Sequence, residues 1–203
     1  MEPGARVYVV DDDAAVRSGL KVLLSSAGLK AVLFESAQAF ADAYDPSAPG
    51  CLLLDVRMPG LSGLDLLEQM KGRGIALPVI MLTGHGDVPM AVRALKHGAM
   101  DFVQKPFNDQ ALLDRVQQAL ALDAASRRRQ ADAGEARERA SRLTAREREV
   151  MDGIVAGKAN KVVAAELGIS ERTVELHRAR IMEKMGVRSL AALVQAAIAL
   201  KRD

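Results

Sequence analysis

Val7-Tyr8-Val9-Val10-Asp11-Asp12 sets a short apolar run against two carboxylates, and the pattern returns through the first half of the chain. Leu52-Leu53-Leu54 ends on Asp55, Val79-Ile80-Met81-Leu82 ends on Thr83, and Phe102-Val103 is followed two residues later by Lys105. Such runs have the length of buried strands. Strand-like segments at 6–10, 29–34, 51–54, 77–82 and 101–103 alternate with helical patterns at about 14–26, 36–44, 64–71, 88–97 and 108–122. This predicts a five-stranded parallel sheet with helices on both faces, because parallel strands need crossover connections and those are right-handed. Sites in open sheets of this class lie outside the carboxyl ends of the strands. Three carboxylates, a hydroxyl and an ammonium therefore converge on one edge, able to hold a divalent cation and a phosphoryl group, with Asp55 as acceptor.

The 203 residues suit two small domains better than one large one. The single cysteine, Cys51, sits in an apolar run and reads as a small buried hydrophobe. No leader-like opening and no membrane-length apolar run is present, so a cytoplasmic protein without a membrane partner is expected. Charge is segregated: residues 1–121 hold 11 Lys and Arg against 14 Asp and Glu, and residues 122–203 hold 17 against 12. A basic second half points to a polyanionic partner or to a solvated basic face.

Glycines 28, 50, 60, 63, 74 and 98 fall between elements. Ser62-Gly-Leu-Asp65 and Thr144-Ala-Arg-Glu147 are capping-box patterns, Asn108 is a candidate N-cap, and Asp13 is better placed as a cap than as a ligand. From 123 to 142 the composition turns to Ala, Arg, Glu, Asp and Gln. That stretch favours helix but has no apolar stripe, so it reads as a linker that is a solvated, partly helical extension of the fifth helix, with Gly134 as a weak point. Helices then run to about 156 and over about 160–167, 171–184 and 189–200.

Val10-Asp11-Asp12-Asp13, Leu54-Asp55-Val-Arg-Met-Pro59-Gly, Leu82-Thr83-Gly-His-Gly-Asp87 and Gln104-Lys105-Pro106-Phe107 resemble a response-regulator receiver domain. The resemblance covers residues 1–122 and implies a flavodoxin-like (βα)5 fold. It implies that Asp55 is the phosphoacceptor, that Asp12 and Asp55 bind Mg2+ with the backbone carbonyl of Arg57, and that Asp11 acts largely through water. Lys105 pairs with the carboxylate and then with the phosphoryl oxygens, Thr83 donates to them, and Phe102 follows Thr83 inward as a switch. Lys105-Pro106 matches a position that is usually cis. The chemistry fits these residue types, since an anionic nucleophile attacking an anionic donor needs local positive charge, and magnesium needs only one or two carboxylates beside phosphate and water. Arg57 and His85 are expected to tune the phosphoryl lifetime. His85, His97 and His177 lack metal-ligand spacing, so no zinc site is predicted.

Leu143-Thr-Ala-Arg-Glu-Arg-Glu-Val150, Gly157-Lys-Ala-Asn-Lys161, Leu167-Gly-Ile-Ser170, Thr173-Val-Glu-Leu-His177 and Lys184-Met-Gly-Val187 resemble a LuxR-type helix-turn-helix, here an all-α four-helix domain over 143–203. On a helical wheel Val174, Ile181 and Met185 face inward, with Arg172, Glu175, Leu176, Ala179 and Arg180 opposite. That outer set suits base edges, with leucine and alanine toward thymine methyls, glutamate toward cytosine and arginine toward guanine. Asn160, Lys161, Thr173, His177, Arg178 and Lys184 suit phosphates. Glu175 departs from the lysine often found in the wider family. The last helix, Leu190–Leu200, is apolar all round, which predicts one side on the domain core and the other on a second copy.

The two resemblances together imply a two-component response regulator of the FixJ/NarL type. Its partners would be a sensor histidine kinase, promoter DNA, RNA polymerase and, on activation, a second copy, with transcription activated. Two logics stay open: inhibition by the receiver in the off state, or independent domains. Competing readings are a LuxR-type regulator independent of phosphorylation, and a dehalogenase-like phosphatase. The phosphatase needs an acid where Arg57 stands, and the expectation is that the protein is not an enzyme.

Overall fold

The computed structural model describes residues 4–84 and 88–200. The chain divides into two compact units between Arg127 and Arg128.

In the first unit, β1 (Arg6–Val10), α1 (Ala14–Ser26), β2 (Lys30–Phe34), α2 (Ala37–Ala43), β3 (Gly50–Asp55), α3 (Gly63–Met70), β4 (Val79–Thr83), α4 (Val88–Lys96) and β5 (Asp101–Gln104) follow in order, and α5 (Asp109–Ser141) begins there and continues past Arg127. The strands form one parallel sheet in the order β2-β1-β3-β4-β5. Its two faces come from the period of two along each strand. Tyr8, Val10, Leu52, Leu54 and Met81 pack on one side with Phe40, Leu66, Leu67 and Ala94. Val7, Val9, Leu53, Ile80 and Leu82 pack on the other with Leu20, Leu24, Leu112 and Val116. Cys51 is fully buried and its thiol is pushed up to about 12 by that burial, which leaves it unreactive. The α/β fold of five parallel strands is the one expected, with shifts of one or two residues at most element ends.

The caps fall where the sequence indicates, though Ser62 and Asp65 do not make a reciprocal capping box, because the Asp65 carboxylate accepts from the Ser62 hydroxyl and not from its amide. Asp13 accepts from the amides of Ala15 and Val16, Ser62 from Asp65, and Asn108 from Ala111. Two glycines are required by close approach to backbone: a Cβ on Gly50 would lie 2.2 Å from the carbonyl oxygen of Arg6, and one on Gly63 1.9 Å from that of Asp55. The start of α3 is thereby seated against the end of β3.

The linker expectation needs correction. Helix α5 runs unbroken to Ser141, through Gly134, and its early extension is not solvated. Asp123 is 4% exposed, and its Oδ2 accepts from the Gly50 amide at 2.9 Å and from Arg127 Nε at 2.8 Å. The Arg127 guanidinium also donates to the carbonyls of Pro46, Ser47 and Ala48. Residues 123–127 thus close the α2–β3 turn. The attachment is polar and grips backbone, so no apolar stripe announces it. Further along, Ala136 is buried and Ala140 packs against the core of the second unit. Side chains 128–135 are exposed apart from a half-buried Ala133.

The second unit holds α6 (Ala145–Val155), α7 (Asn160–Leu167), α8 (Glu171–Met185) and α9 (Leu190–Leu200). Val150, Ile154, Val163, Val174, Ile181, Met185 and Leu193 form its core. Thr144 and Glu147 make the reciprocal capping box, and Ser170 caps α8. Gly168 and Gly186 end α7 and α8 in the left-handed conformation, at φ 65° in both, which glycine adopts without a Cβ penalty.

Candidate phosphoacceptor pocket and nucleic-acid interface

Register builds the pocket. β1 pairs with β3 as far as Val10 opposite Leu54, so Asp11 and Asp55 leave the sheet side by side. Asp55 pairs with Leu82 on β4, and Thr83 pairs with Gln104 on β5, which places Lys105 next along the same edge. The Lys105 Nζ reaches back to Asp11 Oδ2 and Asp55 Oδ1, each at 2.6 Å. Asp11 is 1% exposed, Asp55 6% and Thr83 1%. The Asp13 amide donates to Asp11 Oδ1 at 3.0 Å and the Arg57 amide to Asp55 Oδ2 at 2.8 Å. Lys105-Pro106 is cis.

Burial lifts the Asp55 carboxyl above its ordinary range, and the neighbouring Asp11 adds to this, while the bond and charge of Lys105 pull the other way. Burial also works to lower Lys105, but its two carboxylate bonds prevail and hold it above its usual value. The pocket is therefore a pair of crowded carboxylates sharing one cation.

The structure brings Asp11, Asp55 and Lys105 into contact and keeps Thr83 on the same edge. Asp12 is the exposed member of the set, and the Arg57 side chain is also exposed. Among the described residues no three His, Cys, Asp or Glu side chains are disposed to hold a metal by themselves. Magnesium does not demand such a cage, because it retains water and takes one or two carboxylates. The donor set suits it: hard oxygen ligands, one of them open to solvent, beside a buried carboxylate short of positive charge. Phe102 lies half-buried, paired in register with Met81 and packed against the face that carries Ala94 of α4. His85 lies outside the described residues.

Sequence reasoning missed Arg17. Its Nη1 donates to the backbone carbonyl of Asp11 at 2.7 Å. The available signal was its place one turn into α1, within reach of the preceding loop. It also missed the grip of Asp123 and Arg127, whose i,i+4 spacing is legible while their backbone partners some 80 positions earlier are not.

On α8 the wheel holds. Val174, Ile181 and Met185 are buried, and Arg172, Glu175, Leu176, Ala179 and Arg180 are all exposed, Leu176 to 56%. Lys161 is exposed on α7. Asn160 Oδ1 accepts from Arg178 Nη1 at 3.0 Å, tying α7 to α8, and the Thr173 and Ser170 hydroxyls meet at 2.8 Å. His177 is half-buried, with Nδ1 lacking a partner among the described residues. The Lys184 Nζ is held at 2.7 Å by the buried Glu147 Oε2. That pair locks α6 to α8. No described helix is long and apolar enough to cross a membrane.

Comparison with known proteins follows the same division. Residues 7–117 match the family described as response regulator receiver domain, and residues 141–197 match the bacterial regulatory proteins of the luxR family. The chain is 46% identical over 198 residues to the transcriptional regulatory protein FixJ of Bradyrhizobium diazoefficiens, covering 98% of this chain and 97% of that one. It is 48% identical to FixJ of Azorhizobium caulinodans, covering 95% and 91%. Among solved structures, the response regulator StyR aligns with a TM-score of 0.82 at 45% identity, over 97% of this chain and 99% of that one. Full-length FixJ from B. japonicum aligns with a TM-score of 0.60 at 46% identity, over 96% of each chain. The family is one of transcriptional regulators, not of typical enzymes. With both halves matched in order along nearly the whole length, the chain belongs to the two-component response regulators of the FixJ/NarL type, a receiver joined to a LuxR-type DNA-binding domain.

Proposed function

We propose that a sensor histidine kinase transfers a phosphoryl group to Asp55 and that this drives dimerisation and binding to promoter DNA, where the protein activates transcription with RNA polymerase. One observation carries the reading: Lys105 Nζ stands 2.6 Å from both Asp11 and Asp55 at adjoining strand ends. A carboxylate oxygen of Asp55 attacks phosphorus, a P–O bond forms, and the bond to the donor's imidazole nitrogen breaks. Lys105 then moves its bonding from the carboxylate to the new phosphoryl oxygens, and the Thr83 hydroxyl donates to another. Asp12, Asp55 and the Arg57 carbonyl would hold Mg2+, with Asp11 through water, and the bound ion would offset repulsion between the two anions. An apolar groove of about 720 Å³ between α1 and the Lys105–Asp109 segment, lined by Leu20, Leu23, Pro106 and Phe107, opens beside Lys105 and suits the kinase.

Output rests on two exposed apolar stripes. Val88, Val92 and Leu95 repeat along α4, and Leu190 and Ile198 are exposed on α9, whose Leu193 and Ala197 are buried. Soluble surfaces seldom leave such faces bare without a partner. A second copy on α9 would pair two α8 helices on an inverted repeat. We assign Arg172, Glu175, Leu176, Ala179 and Arg180 to base edges and Asn160, Lys161, Thr173, His177 and Arg178 to phosphates, and we leave Lys184 to its pair with Glu147. The test is sedimentation of the full chain in Mg2+ with and without beryllofluoride, beside Asp55→Asn. A monomer-to-dimer shift in the wild type alone is the expected result. Dimers in all samples, or in none, would move control away from Asp55.

A further inference from the structure

We propose that Arg17 is a positioning residue for the divalent cation of the pocket, acting through the Asp11 carbonyl that its guanidinium holds. The inference rests on the phosphoacceptor reading and names a residue that reading does not use. Arg17 reaches back from α1: Nη1 donates to the Asp11 carbonyl at 2.7 Å, and its own amide donates to the Asp13 carbonyl at 3.0 Å. The rest of Asp11 is fixed too. Its amide donates to the Phe34 carbonyl at 3.2 Å, Oδ1 accepts from the Asp13 amide at 3.0 Å, and Oδ2 accepts from Lys105 at 2.6 Å.

The peptide joining Asp11 to Asp12 is one rigid plane, so an anchor on its oxygen sets the direction in which the chain leaves toward Asp12. Asp12 needs that anchor. Its side chain is exposed, and no side-chain hydrogen bond ties it to another described residue. The exposed carboxylate of the set is thus aimed by its backbone, and Arg17 is the side chain that holds the carbonyl just before it. Groups that orient a metal's ligands commonly govern affinity by about 10–100-fold.

Charge alone argues in the opposite direction. A guanidinium beside a cation site repels the cation, so on electrostatic grounds its removal tightens binding. The sign of the effect therefore separates positioning from simple charge. Lysine at 17 keeps the charge but offers a compact ammonium in place of the planar fork.

The experiment is calorimetric titration of the full, unphosphorylated chain with Mg2+ alone, since the chain has no tryptophan to report binding by fluorescence. Melting of the metal-free proteins is recorded beside it. Arg17→Ala is expected to weaken Mg2+ by about tenfold or more, with Arg17→Lys between it and the wild type. Unchanged or tighter binding in Arg17→Ala overturns the proposal. If Arg17→Ala lowers the metal-free melting temperature, Arg17→Lys decides by the same criterion. A wild type that binds no Mg2+ overturns the cation-assisted reading of the whole pocket, a different failure from that of Arg17.

Discussion

Each unit holds a lysine against a buried carboxylate, and the two pairs behave oppositely. Lys105 divides itself between Asp11 and Asp55, and burial beside a like charge leaves the Asp55 carboxyl raised. Glu147 has Lys184 to itself and also accepts from the amide and hydroxyl of Thr144. Those bonds, the lysine's first, hold its carboxyl down from an ordinary 4.5 to about 2. Glu147 is satisfied and the arrangement is structural. Asp55 is left short of positive charge. The two pairs differ in whether the anion's demand is met.

The comparison can be broken most sharply at Asp55. Asp55→Asn is expected to abolish labelling by a small phosphodonor, since the accepting carboxylate is gone, while the receiver melts no lower because one of two crowded charges is gone. A marked loss of stability would make Asp55 structural after all. At the other pair the expectation inverts. Glu147→Gln should destabilise the DNA-binding unit by about 2 kcal/mol, less than the 3–5 kcal/mol typical of a broken buried pair because the Lys184 side chain is a third exposed. Phosphorylation of Asp55 should be unaffected in that variant.

Acid sharpens the contrast further. Because the Glu147 carboxyl is lowered on folding, its stabilisation is complete above about pH 4.5 and is lost as pH falls toward 2. Unfolding of the DNA-binding unit should therefore steepen in that window, and Glu147→Gln should flatten it. Equal acid profiles for variant and wild type would remove Glu147 from this role. The smallest effect belongs to a residue outside both pairs. Leu176→Ala, on a side chain 56% exposed, should leave melting unchanged and cost about 1 kcal/mol in binding to a duplex selected by the wild type, in keeping with loss of one apolar base contact. Undiminished affinity would return Leu176 to an ordinary exposed leucine.

How far the sequence carried these conclusions depended on distance along the chain. Asp11, Asp55 and Thr83 were legible because each ends an apolar run, and Lys105 because it lies two residues beyond one; a parallel sheet gathers such ends without further instruction. Caps were legible because Thr144 and Glu147, or Ser62 and Asp65, lie one turn apart. The inward face of α8 follows from helical periodicity. The partner of Lys184 was not legible, since Glu147 lies 37 positions away on another helix and its role depends on burial that no local pattern encodes. Helix α5 was underestimated for the same reason. Its early extension is held by one buried carboxylate and by backbone carbonyls, neither of which leaves an apolar mark.

That extension bears on how such regulators can be recombined. The Gly50 amide and three loop carbonyls are satisfied only when the chain continues to Arg127, and burial in the DNA-binding unit resumes at Ala136. A foreign output unit grafted at residue 122 would strip four backbone groups of their partners, whereas any junction within 128–135 would disturb no buried contact. In this chain the stretch that can carry such a junction is eight residues wide.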